Sequence, residues 1–497
     1  MVPKLVAVQN ATRERWLIVL IVHHPSSRLP ERHYAFHVLL GEFLGLEYQT
    51  AEHEDPNVVI SDSDDASEKR LTLADAFFSM PLSDWLTPRS LPDQPLDTLD
   101  TSIPELHTPL PNAGIPIIYG QRTSSGDYCS VSNDRIHLGL DIFGSAFFML
   151  TRYEELVCQV RDRHGRYPAT ASLAYREGFL ERPIVNEYLE LLWVCLHHLF
   201  PELRRSERHP RVFLSHDVDW PAVALKRTSR QILRAAAGDI LKWQEPRLAA
   251  RRLASWRRVQ QNAPQLDVGN VFDFIMQTSE RYHLTSTFYF IAGDGSGDID
   301  GGYTVEDAWI RSLLKEIHER GHRIGIHPTY ETYRTPQRIR REYERLRTVC
   351  DEERISQSSW GGRQHYLRWE NPTTWQSYAD ASLEYDTTLS FADHIGFRCG
   401  VCYEYPIFHI PDRQTLPLRE RPLIVMDATV FGSRDKSSMG LSPAAGVPRI
   451  AALKKTCARY NGDFTLLWHN NWMIQSRLRS AYLETVRLIT DEASHVG

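Results

Sequence analysis

Cysteine is scarce: seven residues in 497, an odd number spread along the chain. That excludes a disulfide framework and fits a reducing compartment, so a cytoplasmic protein is expected. Long apolar runs are missing too. The longest near the N-terminus, Trp16–Val22, is far short of the roughly 20 residues a membrane span needs, and it reads as a buried strand. No basic segment leads into an apolar stretch with a small-residue cleavage site, so no secretory signal is expected. Positive charge is not in excess, with Lys+Arg at 57 against Asp+Glu at 63 and a net charge of −6. A chain-wide nucleic-acid surface is therefore not expected. Repeats and long low-complexity tracts are likewise missing. What is present is an ordinary globular composition, 42% hydrophobic and 24% charged, in a chain long enough for two to three domains.

The pattern changes along the chain. In the first 200 residues short strand-like runs (Trp16–Val22, Val58–Ile60, Ile115–Tyr119) alternate with a polar stretch, Glu52–Glu68, and a proline-rich one, Pro81–Pro111. Helical periodicity follows from Leu138 into Val157 and again over Val185–Phe200. The charged, proline-bearing segment Pro201–Pro210 predicts a boundary between an α/β accessory domain, 1–205, and a second unit, 210–497. Beyond it strands and helices alternate: strands at Val212–Ser215, Ser286–Ala292, Arg323–Ile326, Leu383–Leu389, Leu423–Met426 and Phe464–Trp468, with helical stretches between them. Such alternation predicts a parallel α/β sheet, open or closed into a barrel, whose chemistry sits at the C-terminal strand ends.

Those ends carry polar residues that a packed core does not need: Ser215-His216-Asp217-Val218-Asp219, His327-Pro328-Thr329-Tyr330-Glu331, Arg363-Gln364-His365-Tyr366, Tyr385-Asp386-Thr387-Thr388 and His469-Asn470-Asn471. In an extended chain Asp217 and Asp219 point to the same side, and two close carboxylates ionise cheaply only beside a cation. A metal on one of them would leave the other free to accept a proton, with His327 as a neutral imidazole ligand. The competing reading is an Asx-type turn before Pro221.

Taken together, His-Asp-Val-Asp (216–219), Gly-His-Arg-Ile-Gly-Ile-His (321–327), Arg-x-His-Tyr (363–366), Asp-Thr-Thr (386–388) and Leu-Trp-His (467–469) resemble the NodB-homology polysaccharide deacetylases, over roughly Arg211 to Gly497. The likeness is greatest to a divergent bacterial subgroup with an N-terminal accessory domain, which Gly139–Glu155 resembles. The resemblance implies a distorted (β/α) barrel and a divalent metal, zinc in many members. It implies hydrolysis of the acetamide of an N-acetylated sugar, here in a surface-glycan precursor such as an O-antigen unit. It makes Asp217 the general base, Arg363 its orienting partner, His469 the general acid, and Asp219 and His327 metal ligands. Tyr366 falls where the family has an aromatic near substrate, and Tyr330, His365 and Asp386 are further substrate-binding candidates. The chain departs from the family in two places. Glu331 stands where the second histidine ligand is usual, giving an Asp219–His327–Glu331 set, and His365 replaces a proline, so either Glu331 or His365 completes the site. The alternative is a deacetylase-like protein with weak or no catalysis that binds glycan or serves assembly.

Three signals lie outside that pattern. The lone Cys399-Gly400-Val401-Cys402 pair lacks the partner pair a zinc site needs and reads as buried thiols. Ala222–Asn262, a helical insertion after the first strand, holds ten Lys/Arg against Asp239 and Glu245. Its bland reading is a solvated helical face, and its sharper one is contact with a phosphate or an anionic membrane surface. Gly293–Gly302, rich in glycine and aspartate, reads as a flexible loop over the site.

Overall fold

A computed structural model describes residues 19–62, 69–103, 106, 110–123, 126–295, 299–433 and 438–491, together with the backbone of 6–7 and 16–17. Parts of Glu52–Glu68 (63–68) and of Gly293–Gly302 (296–298) lie outside the described residues, as does residue 18 of the N-terminal apolar run.

The chain forms a mixed α/β structure with several sheets. Six strands build the first large one: β1 (Leu20–His24), β2 (Tyr48–Glu52), β3 (Val58–Ser61), β4 (Arg70–Leu73), β5 (Cys129–Val131) and β6 (Arg135–Leu138), in the order β2-β1-β3-β4-β6-β5. Its β1–β2 and β4–β6 pairs are parallel and the others antiparallel. Against it pack α1 (Leu29–Phe36), α2 (Ile142–Leu150) and α3 (Ile184–Leu199). Every residue of α2 is buried, and its N-terminus is held by Asp141, whose carboxylate accepts from Gly144 N–H at 2.7 Å and from Phe77 N–H at 2.8 Å.

The second large sheet comprises β7 (Arg211–Val218), β8 (Ser286–Phe290), β9 (Arg323–Ile326), β10 (Gly361–Gly362), β11 (Tyr385–Asp386), β12 (Tyr405–His409), β13 (Gln414–Glu420), β14 (Val425–Met426) and β15 (Asp463–Leu467). The order is β12-β13-β11-β10-β9-β8-β7-β15-β14, parallel throughout except for β12 on β13. Strands β8 and β15 are buried along their whole length, as expected where helices cover both faces. The connecting helices α6 (Phe272–Arg281), α7 (Ala308–Glu319), α8 (Pro336–Glu352), α9 (Thr373–Asp380), α10 (Pro443–Arg459) and α11 (Ser476–Thr490) follow the sequence periodicity to within a few residues. Strand β10 was not legible as a strand. It is two glycines long, and a Cβ at Gly361 would meet the Tyr385 ring at 2.1 Å. No ladder joins β12 to β14 among the described residues. Bonds join the loop after β11 to the residues before β14: Leu423 N–H donates to Leu389 O at 3.2 Å and Gly396 N–H to Ile424 O at 3.2 Å.

After β7 two helices, α4 (Ser229–Leu241) and α5 (Pro246–Gln260), pack on each other as a hairpin, where the basic insertion was expected. The early and late parts of the chain meet over a buried ionic cluster. Arg398 pairs with Glu155 at 2.6 Å, Arg152 with Glu155 at 2.9 Å and with Glu154 at 2.6 Å, and Arg152 also donates to the Arg398 carbonyl. Buried charges of this kind persist only when every partner is present. Cys399 and Cys402 are buried close by.

Candidate active site

A cavity of about 570 Å³ opens at the C-terminal ends of the second sheet. Asp217 and Asp219 line it, with His365, Tyr366 and His469. The i, i+2 geometry holds: His216, on the other side of β7, is fully buried and hydrogen-bonds the Trp468 carbonyl at 2.8 Å, while Asp217 and Asp219 share one side. Burial drives the His216 ring down to about 3, so it is neutral and structural.

Three histidines converge here, each anchored through Nδ1. His327 Nδ1 donates to the Arg363 carbonyl at 2.6 Å, His365 Nδ1 to Asp300 Oδ1 at 2.8 Å, and His469 Nδ1 to Asp427 Oδ1 at 2.6 Å. Such anchoring fixes the ring and directs Nε2 to the site. The Nε2 atoms of His327, His365 and His469 lie 3.3, 3.6 and 3.8 Å from Asp219 carboxylate oxygens. Asp219, His327 and His365 each offer a ligand atom within 4.8 Å of the others. Asp219 Oδ1 and His327 Nε2 are buried without a hydrogen-bond partner, since their 3.3 Å approach lacks the alignment of one. Unpartnered buried donors and acceptors are costly. An imidazole–imidazole–carboxylate set is what a divalent metal takes, so the residues fit a metal.

The electrostatics point the same way. Burial pushes Asp219 up, but His365, His327 and His469 outweigh it and hold the carboxyl well below its ordinary range. Burial favours neutral rings at His365 and His469. Asp219 and Asp300 nonetheless raise His365 to about 9, and Asp427, Asp219 and Asp217 raise His469 to about 10. The acidic site calls for positive charge.

Asp217 is buried, and its Oδ1 accepts from Arg363 Nη1 at 2.8 Å. The guanidinium is itself fixed by Ser215 Oγ at 2.9 Å, the Thr387 carbonyl at 3.0 Å and the Tyr289 ring at 4.6 Å. One oxygen of Asp217 is thereby committed, while Oδ2 lies 3.6 Å from His327 Nε2.

Other expected residues fall elsewhere. Glu331 is 65% exposed and its carboxylate lies 3.4 Å from Arg368, so the structure does not bring it to the cluster, and His365 stands there instead. The reason is local. The chain leaves β9 into a short 3-10 turn, Thr332–Arg334, which carries Glu331 outward, while Gly361–Gly362 delivers His365 inward. Tyr330 does not line the cavity; its hydroxyl bonds His164 at 2.9 Å, and its ring packs on Tyr366. Asp386 is fully buried, accepts from Thr388 N–H at 2.9 Å and is likewise absent from the lining. Tyr366 does line the cavity. It and Leu367 adopt φ of 61° and 54°, a left-handed stretch costing roughly 1–2 kcal/mol per residue. Arg166 Nη1 holds it by donating to the Tyr366 carbonyl at 3.1 Å, and Leu367 is buried among Leu423, Met426 and Leu467.

Three participants escaped the sequence reading. Asp427 directly follows strand β14, and the strand-end rule that singled out the others would have found it. Asp300 lies in the glycine-rich segment read only as a loop; it is buried, and it also accepts from Tyr330 N–H at 2.7 Å. Arg166 comes from the N-terminal part and reaches the cavity, with no local signal.

A model described as a family of unknown function, DUF7033, matches residues 19–201. No curated protein matches the chain. Among solved structures the chain is similar to a "putative polysaccharide deacetylase from Mycobacterium smegmatis", at 17% identity and a TM-score of 0.38, over 58% of this chain and 86% of that one. A likeness of that size carries no assignment, so the functional reading rests on the site.

Proposed function

We propose that this chain is a metal-dependent carbohydrate N-deacetylase that hydrolyses the acetamide of an N-acetylated sugar in a surface-glycan precursor. The observation carrying the proposal is the convergence, in one cavity, of a base candidate held by Arg363, an Asp219–His327–His365 ligand set and a His469–Asp427 acid candidate. We read 210–497 as a distorted (β/α) barrel, supported by the bonds that join the loop after β11 to the residues before β14, and 1–205 as its accessory domain.

Asp219, His327 and His365 would hold the metal, zinc being suited to such donors. When bound, a divalent cation supplies Lewis acidity toward water and the acyl oxygen. Asp217, held by Arg363 through Oδ1, accepts the proton of the attacking water through its other oxygen. An amine leaves poorly without a proton, and His469, held as an imidazolium by Asp427, donates one to the sugar nitrogen. Acetate and the free amino sugar result. Tyr366 offers a ring face at the mouth, and Arg166 presents a cation to the same space.

The test is elemental analysis of the purified protein beside His327→Ala, with acetate release measured from N-acetylated sugars and sugar nucleotides. Near one zinc or similar ion per chain, lost in the variant together with acetate release, is the expected result. No metal in either protein after added zinc would overturn the proposal.

A further inference from the structure

The hairpin of α4 and α5 is unlike the rest of the surface. Among the described residues, half of the large apolar side chains that stand exposed fall between Leu233 and Leu266. On α4 the spacing is helical: Leu233, Ala237, Ile240 and Leu241 share one side, with Leu233 59%, Ile240 49% and Leu241 83% exposed. The adjoining side, with Ile232 and Ala236, is the one that packs inward. A monomeric protein gains nothing by presenting such a row to water.

The cations follow the same distribution. Arg230 and Arg234 share the side of the apolar row, and Arg247, Arg251, Arg257 and Arg258 stand exposed on α5. None of the six has an ion-pair partner among the described residues. The two acids of the segment are already taken: Asp239 pairs with Arg252 at 2.7 Å, and Glu245 accepts from Ser476 N–H at 3.1 Å. This excess of unpaired arginine sits in a chain whose net charge is −6.

We propose that the α4–α5 hairpin is a membrane-surface contact, its apolar row entering the headgroup region of an anionic bilayer and its arginines meeting the lipid phosphates. Apolar side chains and cations on one helix are the combination that interfacial binding uses. No helix among the described residues is long and apolar enough to cross a membrane, so the contact lies along the surface. A second copy of the chain is a poorer occupant, because a two-fold contact would set the arginine-rich patch against itself. Nucleic acid would use the arginines but leave Leu233, Ile240 and Leu241 without a role. The place of the hairpin gives the contact a consequence. Lys242 and Trp243 directly follow α4 and line the cavity that holds Asp217 and Asp219. The contact therefore sets the cavity at headgroup level, within reach of a glycan anchored in the bilayer.

The test needs no substrate and so stands apart from the deacetylase reading. The full chain is sedimented with phosphatidylcholine vesicles with and without phosphatidylglycerol, beside Leu241→Asp and the double variant Arg230→Glu/Arg234→Glu. Binding to the anionic vesicles only, weakened by salt and roughly tenfold or more weaker in each variant, is expected. These positions are exposed, and matching melting temperatures would verify folding; Leu241→Ala serves if the aspartate variant fails. Three results would overturn the proposal: no binding of the parent chain to anionic vesicles, binding that both variants retain, or a dimer by ultracentrifugation that Leu241→Asp splits while vesicle binding persists. Binding to a nucleic-acid duplex in place of vesicles, insensitive to Leu241→Asp, would assign the arginines to that partner instead.

Discussion

Two pairs of acids sit at strand ends of the same sheet and meet opposite fates. Asp217 and Asp219 end β7 at the cavity, beside Arg363 and three histidines. Asp386 and Glu420 are cross-strand partners on β11 and β13, fully buried, and each has one oxygen without a hydrogen-bond partner. Burial pushes Asp386 up to about 7 and, with Asp386 beside it, lifts Glu420 well above its ordinary range. The first pair lies against cationic partners, which hold Asp219 well below its ordinary range; the second is compensated by protons. The same residue type at a strand end thus faces the cavity as a charged group or becomes a protonated piece of the wall according to what surrounds it.

The largest effect expected from breaking this contrast is at Asp217. Asp217→Asn keeps the shape and removes the proposed base, so acetate release should fall by roughly 10²–10⁴-fold while metal content is unchanged. Asp219→Ala should lose metal and turnover together. If Asp217→Asn retained near-normal turnover, the base would have to be sought elsewhere in the cavity.

Next comes Asp427, whose carboxylate lies 2.6 Å from His469 Nδ1 and, in the proposed mechanism, holds a proton on that ring. Asp427→Asn should lower amide hydrolysis by roughly 100-fold, within the range of a general-acid contribution. An activated aryl ester, whose leaving group needs no proton, should lose far less. Equal losses on both substrates would make Asp427 a structural support of the loop and nothing more. A smaller effect belongs to Arg166, which touches the cavity from the N-terminal part. Arg166→Ala should raise KM several-fold and leave kcat nearly unchanged, the signature of lost ground-state binding.

Which of these residues could be read in advance follows a physical divide. The alternation of strands and helices beyond Pro210 was legible because parallel strands buried on both faces are apolar runs, and Asp217, Asp219, His327 and His469 stand at their ends. Strand β10 was not, because two glycines packed under Tyr385 and Tyr378 carry no apolar signal. The choice between Glu331 and His365 was beyond sequence, since it depends on which way a turn carries the chain after β9. Asp386 was misplaced for a related reason: a strand end signals nearness to the site, but not whether a neighbouring strand such as β13 covers the side chain.

The wall pair gives the mildest and most discriminating test. Asp386 in the folded protein holds its proton up to about pH 7, whereas an unfolded chain releases it near its ordinary value of 3.8. Between those values the native state binds more protons than the unfolded state, so stability falls as pH rises. The contribution is complete below about 3.8 and is lost as pH passes through about 7. His365 also has a raised value, yet its window runs from 6.5 to about 9, above that of the carboxyl pair. Thermal melts followed by circular dichroism from pH 4 to pH 7 should therefore decline less steeply in Asp386→Asn than in the parent chain. Asparagine fills the same space and carries no charge, so acetate release at neutral pH should stay within a few-fold of the parent. A steep loss of acetate release with unchanged melting would move Asp386 from the wall into the site and erase the contrast with Asp217 and Asp219.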